Sequence, residues 1–155
     1  MSKSLAIYLD SCCFCRLLDD TSQYRVRLET EAVVTILECC DRNDMTLISS
    51  DALEFELQRL PNPEGRSQIF AFLGAAKEFV ETNENIENRA EGLCKLGFTL
   101  YDALHIASAE ASSARVFLTT DDRLIRKAMS YADNIQIKVS NPVTWLMENQ
   151  ELIGD

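Results

Sequence analysis

Two spacings of apolar residues alternate along this chain. Short unbroken runs read as buried strands: LAIYL at 5–9, MTLIS at 45–49, VFLT at 116–119 and IQIKV at 135–139. Between them, apolar residues recur at helical spacing. Val26, Val33, Ile36, Leu37 and Cys40 share one face of a helix predicted over 24–41, after a shorter one over 11–19. A helix over 51–60 stops at Pro61 and Pro63. Residues 64–80 read as helical with a break near Gly74, and 83–96 as a helix ended by Gly97. TLYDALHIASAEASSA at 99–114 is a helix rich in small residues, suited to close packing. Leu124, Ile125, Ala128 and Met129 form the inner face of 121–132. Asn141-Pro142 opens the last helix, a capping residue followed by proline at the first helical position.

Strands without polar alternation, separated by helices, indicate a parallel sheet buried on both faces. The predicted fold is α/β, a three-layer α/β/α arrangement with a central, mainly parallel sheet. No repeat, low-complexity stretch or long linker interrupts 1–155, which reads as a single domain. In open sheets of this kind, ligands bind beyond the carboxyl ends of the strands. Asp10 ends the first strand and Asp121 sits just past the third. Asp102 and Glu56 lie in or near the first turns of helices.

Composition narrows the function classes. The longest apolar runs fall far short of the roughly 20 residues that cross a bilayer. MSKSLAIYLD reaches an acid after five apolar residues, unlike a secretory signal, so a cytoplasmic protein is expected. The formal net charge of −10 argues against a nucleic-acid binder with a basic footprint. Acids gathered around a cation, however, are offset locally. The basic residues Arg16, Arg25, Arg27, Arg115, Arg123, Arg126 and Lys127 are scattered, which predicts weak non-specific affinity for phosphates. Cys12-x-x-Cys15 has the spacing of a redox pair or zinc half-site. No second such pair follows, and His105 is the only histidine, so the six cysteines are expected to be buried, reduced thiols. The five glycines form no GxGxxG, which argues against a dinucleotide-binding enzyme.

Each of the four acids has a plainer role beside a catalytic one. Asp10 can cap the helix that follows it, and Asp102 can complete a capping box begun by Thr99. Asp121 and Asp122 suit the positive end of a helix dipole. Caps alone do not explain why so many acids gather at one sheet edge. On the 51–60 helix, Asp51 with Glu54 makes a capping box. At about 100° per residue, Glu56 lies roughly 65° from the centre of the Leu53, Leu57 and Leu60 stripe, and Glu54 roughly 95°. Glu56 is therefore the acid expected in the cleft. Converging carboxylates without nearby histidine or cysteine ligands suit Mg²⁺ or Mn²⁺, and such sites catalyse phosphoryl transfer.

Four segments then fall into one pattern: IYLDSCCFCR, ISSDALEFELQRL, YDALHIASAE and FLTTDDRLIRKA. Together they resemble the motifs of the PIN domain family, over about residues 5–146. The resemblance places the family's acids at Asp10, Glu56, Asp102 and Asp121 as metal ligands and catalytic residues, with Thr119 as a hydroxyl close to the metal. It implies RNA cleavage dependent on Mg²⁺ or Mn²⁺, often by a homodimer. In bacteria it often implies the toxin of a toxin–antitoxin pair, held inactive by a small antitoxin protein. The CCFC after Asp10 departs from the family's usual run.

The expected function is thus a metal-dependent endoribonuclease hydrolysing RNA phosphodiester bonds. The alternative is a catalytically silent PIN-like scaffold binding RNA or protein, which has no need of this charge cluster. His105 is expected to be a packed, hydrogen-bonded core residue. A thiol redox protein built on Cys12 and Cys15 lacks the usual flanking residues.

Overall fold

The computed structural model describes residues 5–153. Strands β1 (Leu5–Leu9), β2 (Met45–Ser50), β3 (Glu78–Val80), β4 (Val116–Leu118) and β5 (Lys138–Ser140) form one sheet in the order β3-β2-β1-β4-β5. Every pairing is parallel, with Ile7 level with Leu47 on one side and Val116 on the other. Side chains of a strand alternate between faces, and each face has its own core. Ile7, Leu9, Leu47, Val116 and Leu118 point to one side, where they meet Val33, Ile36, Leu53, Leu57, Ile69 and Trp145. These come from α2 (Tyr24–Asp41), α3 (Asp51–Gln58), α4 (Pro63–Leu73) and α8 (Pro142–Glu148), beside α1 (Ser11–Cys15) with its following 3-10 turn (Arg16–Leu18). Ala6, Tyr8, Ile48 and Phe117 point to the other side, against α5 (Glu84–Lys95), α6 (Leu100–Ala111) and α7 (Asp122–Ser130).

The result is a three-layer α/β/α fold. Each fully buried large side chain, Phe117 or Leu118 for example, contributes about 1.5–3 kcal/mol. Burial on both faces also explains why the strand runs lack polar alternation. No described helix is long and apolar enough to cross a membrane.

Several elements differ from the sequence expectation. Residues 64–80 are not one helix: α4 ends at Leu73, and Glu78–Val80 form the edge strand β3. Three strand residues, one of them exposed, are too few to imprint a period. The last strand lies at Lys138–Ser140 rather than 135–139, because the Ile135 amide bonds back to the Tyr131 carbonyl at 3.2 Å and keeps the turn closed. The 11–19 helix divides into α1 and the 3-10 turn. In α3 the cap is Ser50, whose hydroxyl accepts from the Leu53 amide at 3.0 Å, so Asp51 and Glu54 do not form the expected capping box.

Strand order positions the site. From β1 the chain steps to β2 and β3 on one side, then returns to β4 and β5 on the other. The crevice of such a sheet opens where that direction reverses, at the carboxyl ends of β1 and β4. Asp10 and Asp121 follow these two strands.

Gly97 ends α5 with φ of 106°, and an added Cβ would meet the Lys127 ammonium at 3.0 Å. Gly97→Ala is expected to lower the unfolding free energy by about 1 kcal/mol or more. Urea denaturation measures this, and unchanged stability would show that the turn relaxes freely.

Candidate active site

Asp10 is buried at the end of β1, with its amide donating to the Leu118 carbonyl at 2.9 Å. Its Oδ1 accepts from the Ser11 amide at 2.8 Å, so the capping role is real. Its Oδ2 accepts from the buried Thr119 hydroxyl at 2.7 Å. The Cys12 thiol also faces Oδ2, at 3.4 Å, and takes a bond from the Thr120 amide at 3.3 Å. Neither contact was legible from the CxxC spacing. The six cysteines were expected to be buried; Cys13, Cys39 and Cys40 are, whereas Cys12, Cys15 and Cys94 are half-buried. Burial pushes the Cys15 thiol up to about 11, far from a reactive thiolate.

Glu56 and His105 meet across two helices. Glu56 Oε1 lies 3.0 Å from His105 Nε2, and Asp10 Oδ1 lies 3.9 Å from the same nitrogen. The ligand atoms of Asp10, Glu56 and His105 all fall within 4.8 Å of one another. His105 is fully buried and hydrogen-bonded, as expected, yet it stands inside the acid cluster. The expectation of no nearby histidine is therefore corrected. The signal was present: residues three apart on a helix share a face, which puts His105 beside Asp102.

A polar chain lies behind the ring. His105 Nδ1 is 2.8 Å from the Tyr8 hydroxyl, which is 2.6 Å from Ser50 Oγ. With neutral His105 protonated on Nε2, the ring donates to Glu56 and accepts from Tyr8. When charged, it donates to both. Tyr8 stacks on Phe117 with centroids 5.4 Å apart, so the hydroxyl has little freedom. Nothing in the apolar run LAIYL marks this tyrosine as a support for the site.

Burial raises the Glu56 carboxyl, but bonds from His105 and Ser11 outweigh it and leave the pKa below its ordinary value. Asp102 moves the other way. Burial, then the Asp10 charge, raise its pKa; the Thr99 bond lowers it, and the Asp121 charge raises it further. Asp102 lies half-buried in the first turn of α6, its amide donating to Thr99 Oγ1 at 3.2 Å. Asp121 is exposed and caps α7, accepting from the amides of Arg123 and Leu124 at 3.0 and 3.3 Å.

The neighbouring acids are committed elsewhere. Asp122 takes both terminal nitrogens of Arg25, at 2.7 and 2.8 Å. Glu54 accepts from the Ser49 hydroxyl at 2.9 Å. Glu56, by contrast, faces His105, although it sits in the second turn of α3 and not the first.

Residues 7–129 match the family described as PIN domain, and the chain belongs to that family. Solved structures with similar folds include FitAcB from Neisseria gonorrhoeae, 17% identical, with a TM-score of 0.57 over 88% of this chain and 97% of that one. VapBC-1 from nontypeable Haemophilus influenzae is 13% identical, with a TM-score of 0.57 over 89% and 98%. VapC20 of Mycobacterium tuberculosis, a toxin that cleaves the sarcin–ricin loop, is 12% identical, with a TM-score of 0.55 over 85% and 98%. No curated protein sequence matches.

Burial lowers the His105 pKa, but the Glu56 bond and the charges of Asp10, Glu56 and Asp102 raise it further, so the net shift is upward. A histidine raised on folding stabilises fully below its unfolded value of about 6.5. That contribution is lost as pH climbs through the raised folded value. In EDTA, the protein should lose stability with rising pH across this window more steeply than His105→Gln. Urea unfolding at a series of pH values measures both slopes, and equal slopes would refute the coupling.

Proposed function

We propose that this chain is a metal-dependent endoribonuclease of the toxin type, with Asp10, Glu56, Asp102 and Asp121 as its catalytic, metal-holding residues. The observation that carries the reading is the convergence of Asp10, Glu56 and His105 within 4.8 Å at the crevice of the sheet. Family membership and the fold shared with a toxin that cleaves the sarcin–ricin loop support it.

The donor set fits Mg²⁺ or Mn²⁺: carboxylate oxygens predominate, with one imidazole at the margin. Such a cation supplies a nucleophilic water at neutral pH and neutralises charge on the phosphate. The chain's own residues prepare for this. Thr119 and the Ser11 amide fix the two oxygens of Asp10. His105 holds Glu56 ionised and in one orientation. Asp102, its carboxyl raised by burial and by neighbouring acids, is the group that gains most from a cation. RNA as substrate places the working compartment in the cytoplasm, and a small antitoxin protein is the proposed inhibitor.

Two copies form the proposed assembly. Phe55 and Leu100 are 56% and 62% exposed on α3 and α6, and Tyr101 stacks on Phe55 with centroids 6.3 Å apart. This apolar ridge sits beside Glu56 and Asp102, and a two-fold pair would cover it while joining two sites in one groove. Light scattering at micromolar concentration should give twice the monomer mass, and Phe55→Asp should give the monomer. A monomeric wild type would count against the pairing.

Purified protein should cleave RNA with Mn²⁺ or Mg²⁺ and be inert in EDTA. Glu56→Gln and Asp102→Asn should abolish cleavage, while Glu54→Gln keeps it and loses about 1 kcal/mol or less. At about 100 times its Kd, a cation bound only by the folded state adds about 2.7 kcal/mol. Asp102→Asn should melt at or above the metal-free wild type, because one repelling charge is gone, and should lose most of the metal-induced rise. Cleavage that persists in EDTA would remove the metal mechanism.

A further inference from the structure

We propose that Arg25, seated on the buried carboxylate of Glu29, is a positioning residue for Asp121, fastening the turn between β4 and α7 that carries this acid. The inference rests on the nuclease reading above and adds to it a residue that touches no substrate.

Glu29 lies in the second turn of α2 and is 1% exposed. An ionised carboxylate stays in such a place only when donors occupy its oxygens. Three do. Arg16 Nε bonds Oε1 at 2.8 Å, while Arg25 Nε and Asn141 Nδ2 bond Oε2 at 3.1 and 2.7 Å. These donors come from the turn after α1, from α2 itself and from the cap of α8. Glu29 is thus a fixed point where three segments are tied beneath the site.

Arg25 extends from that point to the surface. Its two terminal nitrogens take both oxygens of Asp122, at 2.7 and 2.8 Å, and one of them also reaches the Thr120 carbonyl at 3.2 Å. Thr120 and Asp122 flank Asp121 on either side. A planar guanidinium meets a carboxylate through two parallel bonds, which fixes orientation as well as distance. The remaining holds on Asp121 are local: its amide donates to Thr119 Oγ1 at 3.2 Å, and its carboxylate caps its own helix. Among the described residues, Arg25 is the side chain that bonds both this turn and the buried Glu29 directly.

The plainer reading is an exposed ion pair of little consequence, since Arg25 and Asp122 are 54% and 48% exposed. The buried anchor and the backbone carbonyl argue against it. A surface pair held only by solvated side chains has neither. A phosphate contact is also disfavoured, because both terminal nitrogens and Nε of Arg25 are already engaged within the protein.

The test uses Arg25→Met, Arg25→Lys and the double variant Arg25→Met with Asp122→Ala. Three quantities are read: amide hydrogen exchange at Arg123 and Leu124 in metal-free protein, Mn²⁺ affinity by calorimetry, and the kinetics of RNA cleavage. Arg25→Met should speed exchange at both amides and lower Mn²⁺ affinity and kcat by about 10- to 100-fold, with KM unchanged. Arg25→Lys keeps the charge but not the two-pronged contact, and should resemble Arg25→Met. The double variant should be no worse, because both changes break one link. Wild-type behaviour in Arg25→Lys, or a loss confined to KM, would mark Arg25 as a phosphate contact and overturn the proposal. Unchanged exchange at Arg123 and Leu124 would overturn it whatever the activity. Altered exchange in a protein whose wild type neither binds Mn²⁺ nor cuts RNA would defeat the nuclease reading and still support the clamp.

Discussion

The hydrogen bond from the Asp10 amide to the Leu118 carbonyl joins the ends of the two central strands, and the site is arranged around it. β1 and β4 lie side by side, but the chain leaving each turns away to a different face of the sheet. That divergence leaves a crevice with Asp10 at its floor. Thr119, the first residue beyond β4, donates to Asp10 and accepts from Asp121, so the two strand-end acids share one hydroxyl. The other acids enter on helices from opposite layers. Glu56 comes from α3 on one face and Asp102 from α6 on the other; the group that closes to within 4.8 Å is Asp10, Glu56 and His105.

The electrostatics of the cluster are unequal by construction. Burial and the charges of Asp10 and Asp121 raise Asp102, whereas His105 and Ser11 hold Glu56 down. One acid is therefore settled by its neighbours, and another remains strained. His105 makes this difference possible, because its ring is held from behind by Tyr8 and Ser50. A buried ionic contact is weak evidence for added stability, since desolvation offsets its attraction. It is better evidence for a fixed geometry.

Much of this was legible in the sequence, and the limits have physical causes. The helix over 24–41 was readable to the residue, because a long amphipathic stretch repeats its signal many times. The edge strand Glu78–Val80 was not, since three residues carry no period. Asp10, Asp102 and Asp121 were legible as residues at strand ends and helix starts, and Glu56 as the acid on the inner side of its stripe. The caps expected at Asp10 and Asp121 are present, and the Asp102 amide bonds to the Thr99 hydroxyl that caps its helix. The supporting contacts were not legible. Tyr8 sits in an apolar run, and Glu29 in an unremarkable helix, while their partners lie 97 and 112 residues away.

The bond between Thr119 and Asp10 closes 109 positions of chain, and that distance has a consequence for how the protein comes into being. Contacts so remote in sequence form late, after the entropy of closing a long loop has been met. During synthesis at about 5–20 residues per second, β1 waits several seconds for its neighbour β4. Until β4 and the turn after it emerge from the ribosome, Asp10 has no Thr119 to hold it and Asp121 does not yet exist. A nascent or truncated chain ending before this point carries one strand-end acid and no crevice. A chain that has not yet reached β4 cannot close this contact, so the architecture itself delays the site until that strand has been made.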